Sequence, residues 1–326
     1  MTKKHIYIYS PSGAVRDKAA FRRGIARLKT LGHEVEIDTD ALTSHQRFAG
    51  DDATRLTAIH RAAASGCDVA LISRGGYGLT RILDGINYKA IAKSIDRGTQ
   101  FVGLSDFTAF NLAVLAKTGK VTWAGPALCE GFGVNDLSDE VESPGHASKS
   151  NSGGPDDIME DCFNDMITGQ GEGAGWRLGK EPNPNALPAT VHIKNATLWG
   201  GNLAVLSGLV GTPFLPTVKG GVLFLEDVAE HPYRIERMLT QLLLSGVLAQ
   251  QKAIVLGQFT LYKLGAHDKG YKLQTVIDWL RVRLKIPVLT NLPFGHVATK
   301  VLLPVGAPVN LLVQDRDAFI LWGHQH

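Results

Sequence analysis

Cysteine is scarce in this chain of 326 residues: Cys67, Cys129 and Cys162 stand far apart and form no C-x-x-C. An odd, dispersed set excludes a disulfide framework and reads as reduced thiols in a cytoplasmic protein. Long apolar runs are missing too, so no segment reads as a membrane span. The N-terminus MTKKHIYIYS passes directly into strand-like alternation, with no signal core and no small-residue cleavage site, and export is not expected. Neither sign of charge dominates. A formal net charge of +3 is small for this length, and Lys and Arg form no block, which argues against nucleic acid as a partner. The basic stretch Arg16–Leu31 carries Phe21, Ile25 and Leu28 at the spacing of an ordinary amphipathic helix. H-E-x-x-H is absent, since HEVE at 33–36 lacks its second histidine, so no metal and no other cofactor is expected. G-x-x-x-x-G-K-[ST], a G-x-G-x-x-G after the first strand, and S-x-x-K are absent as well.

What is present is the composition of a soluble globular protein, 44% hydrophobic and 20% charged, in a chain long enough for two domains. The first part alternates strand and helix. IYIY (6–9), HEVEID (33–38), DVALIS (68–73) and QFVGL (100–104) read as strands, with helices at Arg16–Leu31, Asp51–Ser65 and from Phe107 onward. DVALIS is continuously apolar, as a strand buried on both faces of a parallel sheet should be. This rhythm predicts an α/β fold with an N-terminal Rossmann-like open parallel sheet, whose functional groups lie outside the carboxyl ends of its strands. Three loops should therefore converge there: Ser10–Gly13, Arg74–Gly78 and Ser105–Asp106. Residues 138–157, rich in Ser, Gly, Pro and acid, read as a flexible surface insertion, followed by a helix over Asp156–Ile167. We divide the chain into 1–168, a linker 169–187, and a C-terminal β-rich α/β domain at 188–326. In that second domain ATVHI and ATLWG read as short strands and GVLFLED as a buried strand before the helix Pro232–Ser245. KAIVLGQF is a further strand, and Leu273–Leu284 a further helix.

Each candidate motif has two readings at this level. RGGYG, from Arg74 to Gly78, suits a tight turn or an anion pocket of backbone amides. In GLSDF, Ser105 or Asp106 suits helix entry, while strand–Ser–helix is half of a G-x-S-x-G nucleophile elbow with Phe107 in place of the second glycine. Glu226 and Asp227 end an apolar strand; Asp227 suits the cap of the following helix, and Glu226 the position of a site residue. His296 lies in a Gly-containing turn, where an exposed loop histidine is the simpler reading.

The set SPSG (10–13), RGGYG (74–78), GLSDFTA (103–109), LWGGNL (198–203), LFLEDVAEHPYRIERML (223–239) and FGH (294–296) occurs in one order from about Ile6 to about Gly306. It resembles the LD-carboxypeptidases, or muramoyltetrapeptide carboxypeptidases, of the S66 serine peptidase family. The resemblance implies a Ser–His–Glu triad of Ser105, His296 and Glu226 in a cleft between the two domains, and a homodimer. It also implies hydrolysis of the bond between the L-centre of a diamino acid and a terminal D-alanine, in murein tetrapeptides free or sugar-linked, during cytoplasmic peptidoglycan recycling. On that reading the amides of Asp106 and of Gly75 or Gly76 form the oxyanion hole. Arg74 binds the substrate's free carboxylate or pairs with an acid of the fold. Trp199 and Asn202 line the cleft, although a Trp at a strand end suits the core equally. A microcin-immunity peptidase of the same family, a non-catalytic murein-fragment binder and a nucleotide-binding α/β protein are the alternatives.

Overall fold

The computed structural model describes residues 3–135, 154–179 and 190–323. The first region contains β1 (His5–Tyr9), α1 (Lys18–Thr30), β2 (Glu34–Ile37), α2 (Asp52–Ala64), β3 (Val69–Ile72), α3 (Tyr88–Asp96), β4 (Gln100–Gly103), α4 (Thr108–Thr118) and β5 (Thr122–Ala124). Next come α5 (Asp157–Thr168), β6 (Gly173–Arg177), β7 (Thr190–Asn202), α6 (Leu203–Gly208), β8 (Val222–Val228), α7 (Pro232–Leu244) and β9 (Ala253–Thr260). The chain continues through α8 (Leu273–Arg283), β10 (Val288–Leu289), β11 (Leu303–Val305), β12 (Pro308–Gln314) and β13 (Asp317–Leu321).

Local signals set the helix entries of the first half. Asp17 accepts from the amides of Ala19 and Ala20, and Asp51 from that of Thr54, so unpaired first-turn donors are satisfied by side chains. Val69, Ala70, Leu71 and Ile72 of β3 are wholly buried, as its unbroken apolar run requires. Burial of such large apolar side chains stabilises by roughly 1.5–3 kcal/mol each.

The first sheet has the order β11-β5-β4-β3-β1-β2, with β1 to β5 mutually parallel and β11 antiparallel at the edge. The direction of winding reverses at β1, so a crevice opens beside the carboxyl ends of β1 and β3. The second sheet, β10-β9-β8-β7-β12-β13-β6, is parallel from β7 to β10 and antiparallel from β7 to β6. The fold is thus a mixed α/β one with a mostly parallel N-terminal sheet.

Several local expectations change. ATVHI and ATLWG belong to one strand, β7, with Asn195 at φ 48° where the register with β12 shifts. Trp176, in the segment read as a linker, lies in β6 at the edge of the second sheet, while β11 of the C-terminal half closes the first. The two halves therefore exchange strands around their junction. Of the expected insertion, 138–153 lies outside the described residues, as does 181–188; Gly154–Asp157 leads into α5, where Asp156 caps the helix through the Met159 amide at 2.9 Å.

At the junction, the Asn202 amide donates to Thr108 Oγ1 at 2.9 Å. This close approach needs Gly201, whose φ is +134° and whose Cβ, were there one, would collide with Thr108. The carboxyl ends of β4 and β7 are brought together by it.

Candidate active site

The three N-terminal loops meet at that same edge. Ser10 Oγ and Ser73 Oγ share a hydrogen bond of 2.6 Å, and the Gly13 amide donates to Gly75 O at 3.2 Å. Asp106 ties the third loop in: its carboxylate accepts from Ser12 Oγ and, at 2.9 Å, from the Leu79 amide. Burial pushes the Asp106 carboxyl up, and these two donors oppose the rise. Helix entry is therefore not its role. Neither Ser105 nor Asp106 makes a capping bond with its side chain; Asp106 instead fastens the loops after β1, β3 and β4 to one another.

Ser105 stands at φ +65°, a left-handed conformation rare outside glycine and costly by roughly 1–2 kcal/mol. Its Oγ has no hydrogen-bond partner among the described residues. The chain thus turns sharply from β4 through Ser105 into a short 3₁₀ turn and α4, which is the geometry of a nucleophile elbow. Phe107, where G-x-S-x-G has its second glycine, is buried and stacks on Phe110 with ring centres 4.8 Å apart. The room beside the serine comes from Gly75 on the neighbouring loop, where a Cβ would stand 2.7 Å from Ser105 Cβ and 3.1 Å from its Oγ. The amides of Gly75 and Gly76 donate to none of the described residues.

The second half contributes from the carboxyl ends of its parallel strands. Glu226, on β8, is fully buried, and its Oε2 meets His296 Nδ1 at 2.8 Å. Its Oε1 accepts from Asn202 Nδ2 at 3.2 Å, and the same Nδ2 donates to Asp227 Oδ1 at 2.9 Å. Asn202 Oδ1 in turn accepts from the Val205 amide at the start of α6, so the whole amide group is fixed in orientation. His296 follows β10 in the turn ending the Phe294-Gly295 segment, and its side chain is 22% exposed. Burial alone would lower the His296 ring, but the charges of Glu226, Asp227 and Glu130 outweigh it and hold the ring above its ordinary value. Asp227 is pushed up to about 6 by burial and by the neighbouring Glu226 charge.

Three assignments change here. Asp227 does not cap α7: His231 does, through the Tyr233 amide, whereas Asp227 accepts from the Ala204 amide of α6 at 2.9 Å. Trp199 does not line the cleft; it is 1% exposed and donates through Nε1 to Gln251 Oε1 at 2.9 Å. Asn202 is buried as well and acts on the two carboxylates rather than on the open cleft. Arg74 pairs with an acid of the fold, Glu130, at 3.4 Å, and donates through Nη1 to Ala14 O at 3.3 Å. Glu130 and the buried Lys300 lie outside the motifs, Glu130 in the segment after β5 and Lys300 four residues beyond His296.

From the turn that carries Ser105, hydrogen bonds run through Thr108 Oγ1 to the Asn202 amide and from Asn202 Nδ2 to Glu226, which holds His296. Gly75 packs against Ser105, and its neighbour Arg74 pairs with Glu130. Among the described residues no three His, Cys, Asp or Glu side chains are grouped as a metal site. A polarised imidazole, a strained serine and free loop amides are the parts of acyl transfer.

Comparison with known proteins agrees with this chemistry. The family model of the LD-carboxypeptidase N-terminal domain matches residues 6–125, and that of the C-terminal domain residues 195–311. The crystal structure of muramoyltetrapeptide carboxypeptidase from Oxalobacter formigenes is 38% identical, with a TM-score of 0.82 over 98% of each chain. The murein tetrapeptide carboxypeptidase of Pseudomonas aeruginosa is 26% identical over 86% of this chain and 85% of its own. The microcin C7 self-immunity protein of Escherichia coli is 28% identical over 76% of this chain and 71% of its own.

Proposed function

The chain belongs to the LD-carboxypeptidase family of peptidases, and from that premise we propose that it removes the terminal D-alanine of murein tetrapeptides, with Ser105 as nucleophile. The single observation carrying this reading is the 2.8 Å bond between His296 Nδ1 and the buried Glu226, at the edge where the strained Ser105 emerges. Names of relatives support the substrate class: murein tetrapeptide for one, muramoyltetrapeptide for another. Three unpaired cysteines support a cytoplasmic setting, such as murein recycling.

Ser105 Oγ attacks the carbonyl of the diamino acid that precedes D-alanine. His296 Nε2 takes the serine proton and returns it to the leaving amine, and water then releases the acyl group by the same route. Glu226 keeps the proton of the neutral ring on Nδ1, so that Nε2 presents its lone pair. The amides of Asp106 and of Gly75 or Gly76 receive the oxyanion. An exopeptidase also needs a partner for the free carboxylate; Arg74 offers Nη2, the guanidinium nitrogen that Glu130 on Nε and Ala14 O on Nη1 leave to it.

The decisive assay incubates the purified protein with murein tetrapeptide and follows D-alanine by mass. Release of D-alanine is the expected outcome. Cleavage confined to a peptidyl-nucleotide amide would move the protein to the microcin-immunity activity, which the likeness to that relative keeps in view. Binding of both without turnover would make it a murein-fragment binder.

Two further outcomes follow from the geometry. His296 must be neutral to act, and its ring is held above the ordinary value, so kcat/KM should rise with pH through a midpoint above about 6.5. A midpoint below that value would contradict the Glu226 pairing. Gly75→Ala places a methyl against Ser105 and should lower kcat by about 10–100-fold, as small misplacements of reacting groups do, with folding preserved. Steady-state kinetics beside a melting curve reads both.

A further inference from the structure

The loops beside the crevice present one cation that the fold does not use. His45 and Phe48 close a tight turn on each other, the amide of each donating to the other's carbonyl at 2.9 Å, with Gln46 at φ +53°. Arg47 stands in that turn with its side chain exposed. The turn is fastened to the loop after β1, where the Ala14 amide donates to Arg47 O and the Ala49 amide to Ser12 O, both at 3.0 Å. The Arg47 guanidinium lies over the Tyr77 ring, 5.5 Å from its centre, and has no acid partner and no hydrogen bond among the described residues. Asp52, at the head of α2, is taken by Arg55 and Arg81. Tyr77 belongs to the RGGYG loop after β3, is 45% exposed, and has its ring centre 5.9 Å from that of Phe48. Gly78 permits this contact, since at φ +140° a Cβ there would stand 2.9 Å from Phe48 Cδ1. At the other end of the same loop Gly75 packs on Ser105. Two residues of chain reach at most about 7 Å, so Arg47 and Tyr77 form the rim of the crevice into which Ser105 opens.

An arginine held on an aromatic face at a pinned turn has already lost much of its freedom, so it binds an anion at a lower entropic cost. Murein tetrapeptides supply such an anion. Their D-glutamate is joined to the diamino acid through its side chain, which leaves its α-carboxylate free, roughly 8 Å upstream of the scissile carbonyl in an extended peptide. We infer that Arg47, held on Tyr77, recognises this carboxylate and so sets a preference for murein peptides in which it is free over those in which it is amidated. The inference rests on the proposed murein substrate. Guanidinium and carboxylate pair through two parallel charge-assisted hydrogen bonds. A primary amide of the same size offers one acceptor, no charge, and an N–H group that faces the donors of the guanidinium.

The test compares two synthetic tetrapeptides, L-Ala-γ-D-Glu-L-Lys-D-Ala and the same peptide with D-isoglutamine in place of D-glutamate. The parent should favour the first by about 5–20-fold in kcat/KM, chiefly through KM. In Arg47→Met the ratio should fall to within about twofold of unity, with the loss on the D-glutamate peptide alone. Tyr77→Leu, which removes the ring and keeps the charge, should give an intermediate ratio. A parent without preference, or a ratio in Arg47→Met equal to the parent's, would overturn the inference. Should the protein release D-alanine from neither peptide, it is the proposed function that fails. Calorimetric affinities for the two peptides, compared in parent and Arg47→Met, then decide the inference by the same ratios.

Discussion

Ser105→Ala should lose at least about 10⁴-fold in the release of D-alanine from murein tetrapeptide, as removal of a nucleophile does in triad hydrolases. Its melting curve should stay that of the parent. The combination matters because the same residue stands at a helix entry. Were Ser105 a cap, its replacement by alanine would cost about 1 kcal/mol of stability. Its Oγ accepts no first-turn amide, and among the described residues it has no partner at all, so deleting that oxygen removes no structural bond. The backbone sharpens the contrast. At φ +65° a side chain is strained, and Ser105→Gly should relieve this, stabilising by about 1 kcal/mol while remaining inactive. A protein made more stable and catalytically dead by one glycine carries strain at a site used for chemistry. Turnover retained in either variant would remove Ser105 as nucleophile.

Features read from local pattern survive in the structure where the pattern is itself the cause. An unbroken apolar run such as β3 can be satisfied only between two covered faces, and the alternation that follows it requires crossovers, so the parallel sheet was legible. Glycine-rich and serine-rich loops after β1, β3 and β4 were legible for the same reason, because strand ends of a parallel sheet must share an edge. Partners were not. Asp106 and Asp227 both look like helix caps, since an acid before a helix normally finds a first-turn amide within its own segment. Each reaches another element instead: Asp106 the loops after β1 and β3, Asp227 the start of α6. Trp199 has the composition of a cleft residue and of a core residue, and only the position of Gln251, more than fifty residues on, decides for the core. The pairings of the edge strands β6 and β11 were equally hidden, being fixed by which sheet has an open edge. The Ser105, Glu226 and His296 trio became visible in the sequence only through an ordered resemblance, since no spacing rule links residues on three separate strand ends.

Glu226→Gln should lower kcat/KM by about 10³–10⁴-fold with little change in KM, although it alters a single atom. The cause lies in how Asn202 is held. Asn202 Oδ1 is taken by the Val205 amide, so its Nδ2 must donate towards the carboxylates. In the variant, the glutamine oxygen is the only atom at residue 226 that can accept from Nδ2. Its amide nitrogen must then turn towards His296 and donate to Nδ1, where the parent has a carboxylate oxygen. That places the imidazole proton on Nε2, the nitrogen proposed to take the proton of Ser105, and the ring can no longer accept it. Loss of the Glu226 charge also removes the leading attraction that holds the His296 ring above its ordinary value, so its titration should move down. Asp227 should titrate below the parent's value of about 6, because Glu226 is one of the two causes that raise it. Stability above about pH 6 should hold or rise, since two buried neighbouring carboxylates no longer repel each other. A variant within tenfold of the parent, or one with an unchanged His296 titration, would show that the ring does not depend on Glu226 for its tautomer. Unfolding in place of inactivity would assign the carboxylate to the framework instead.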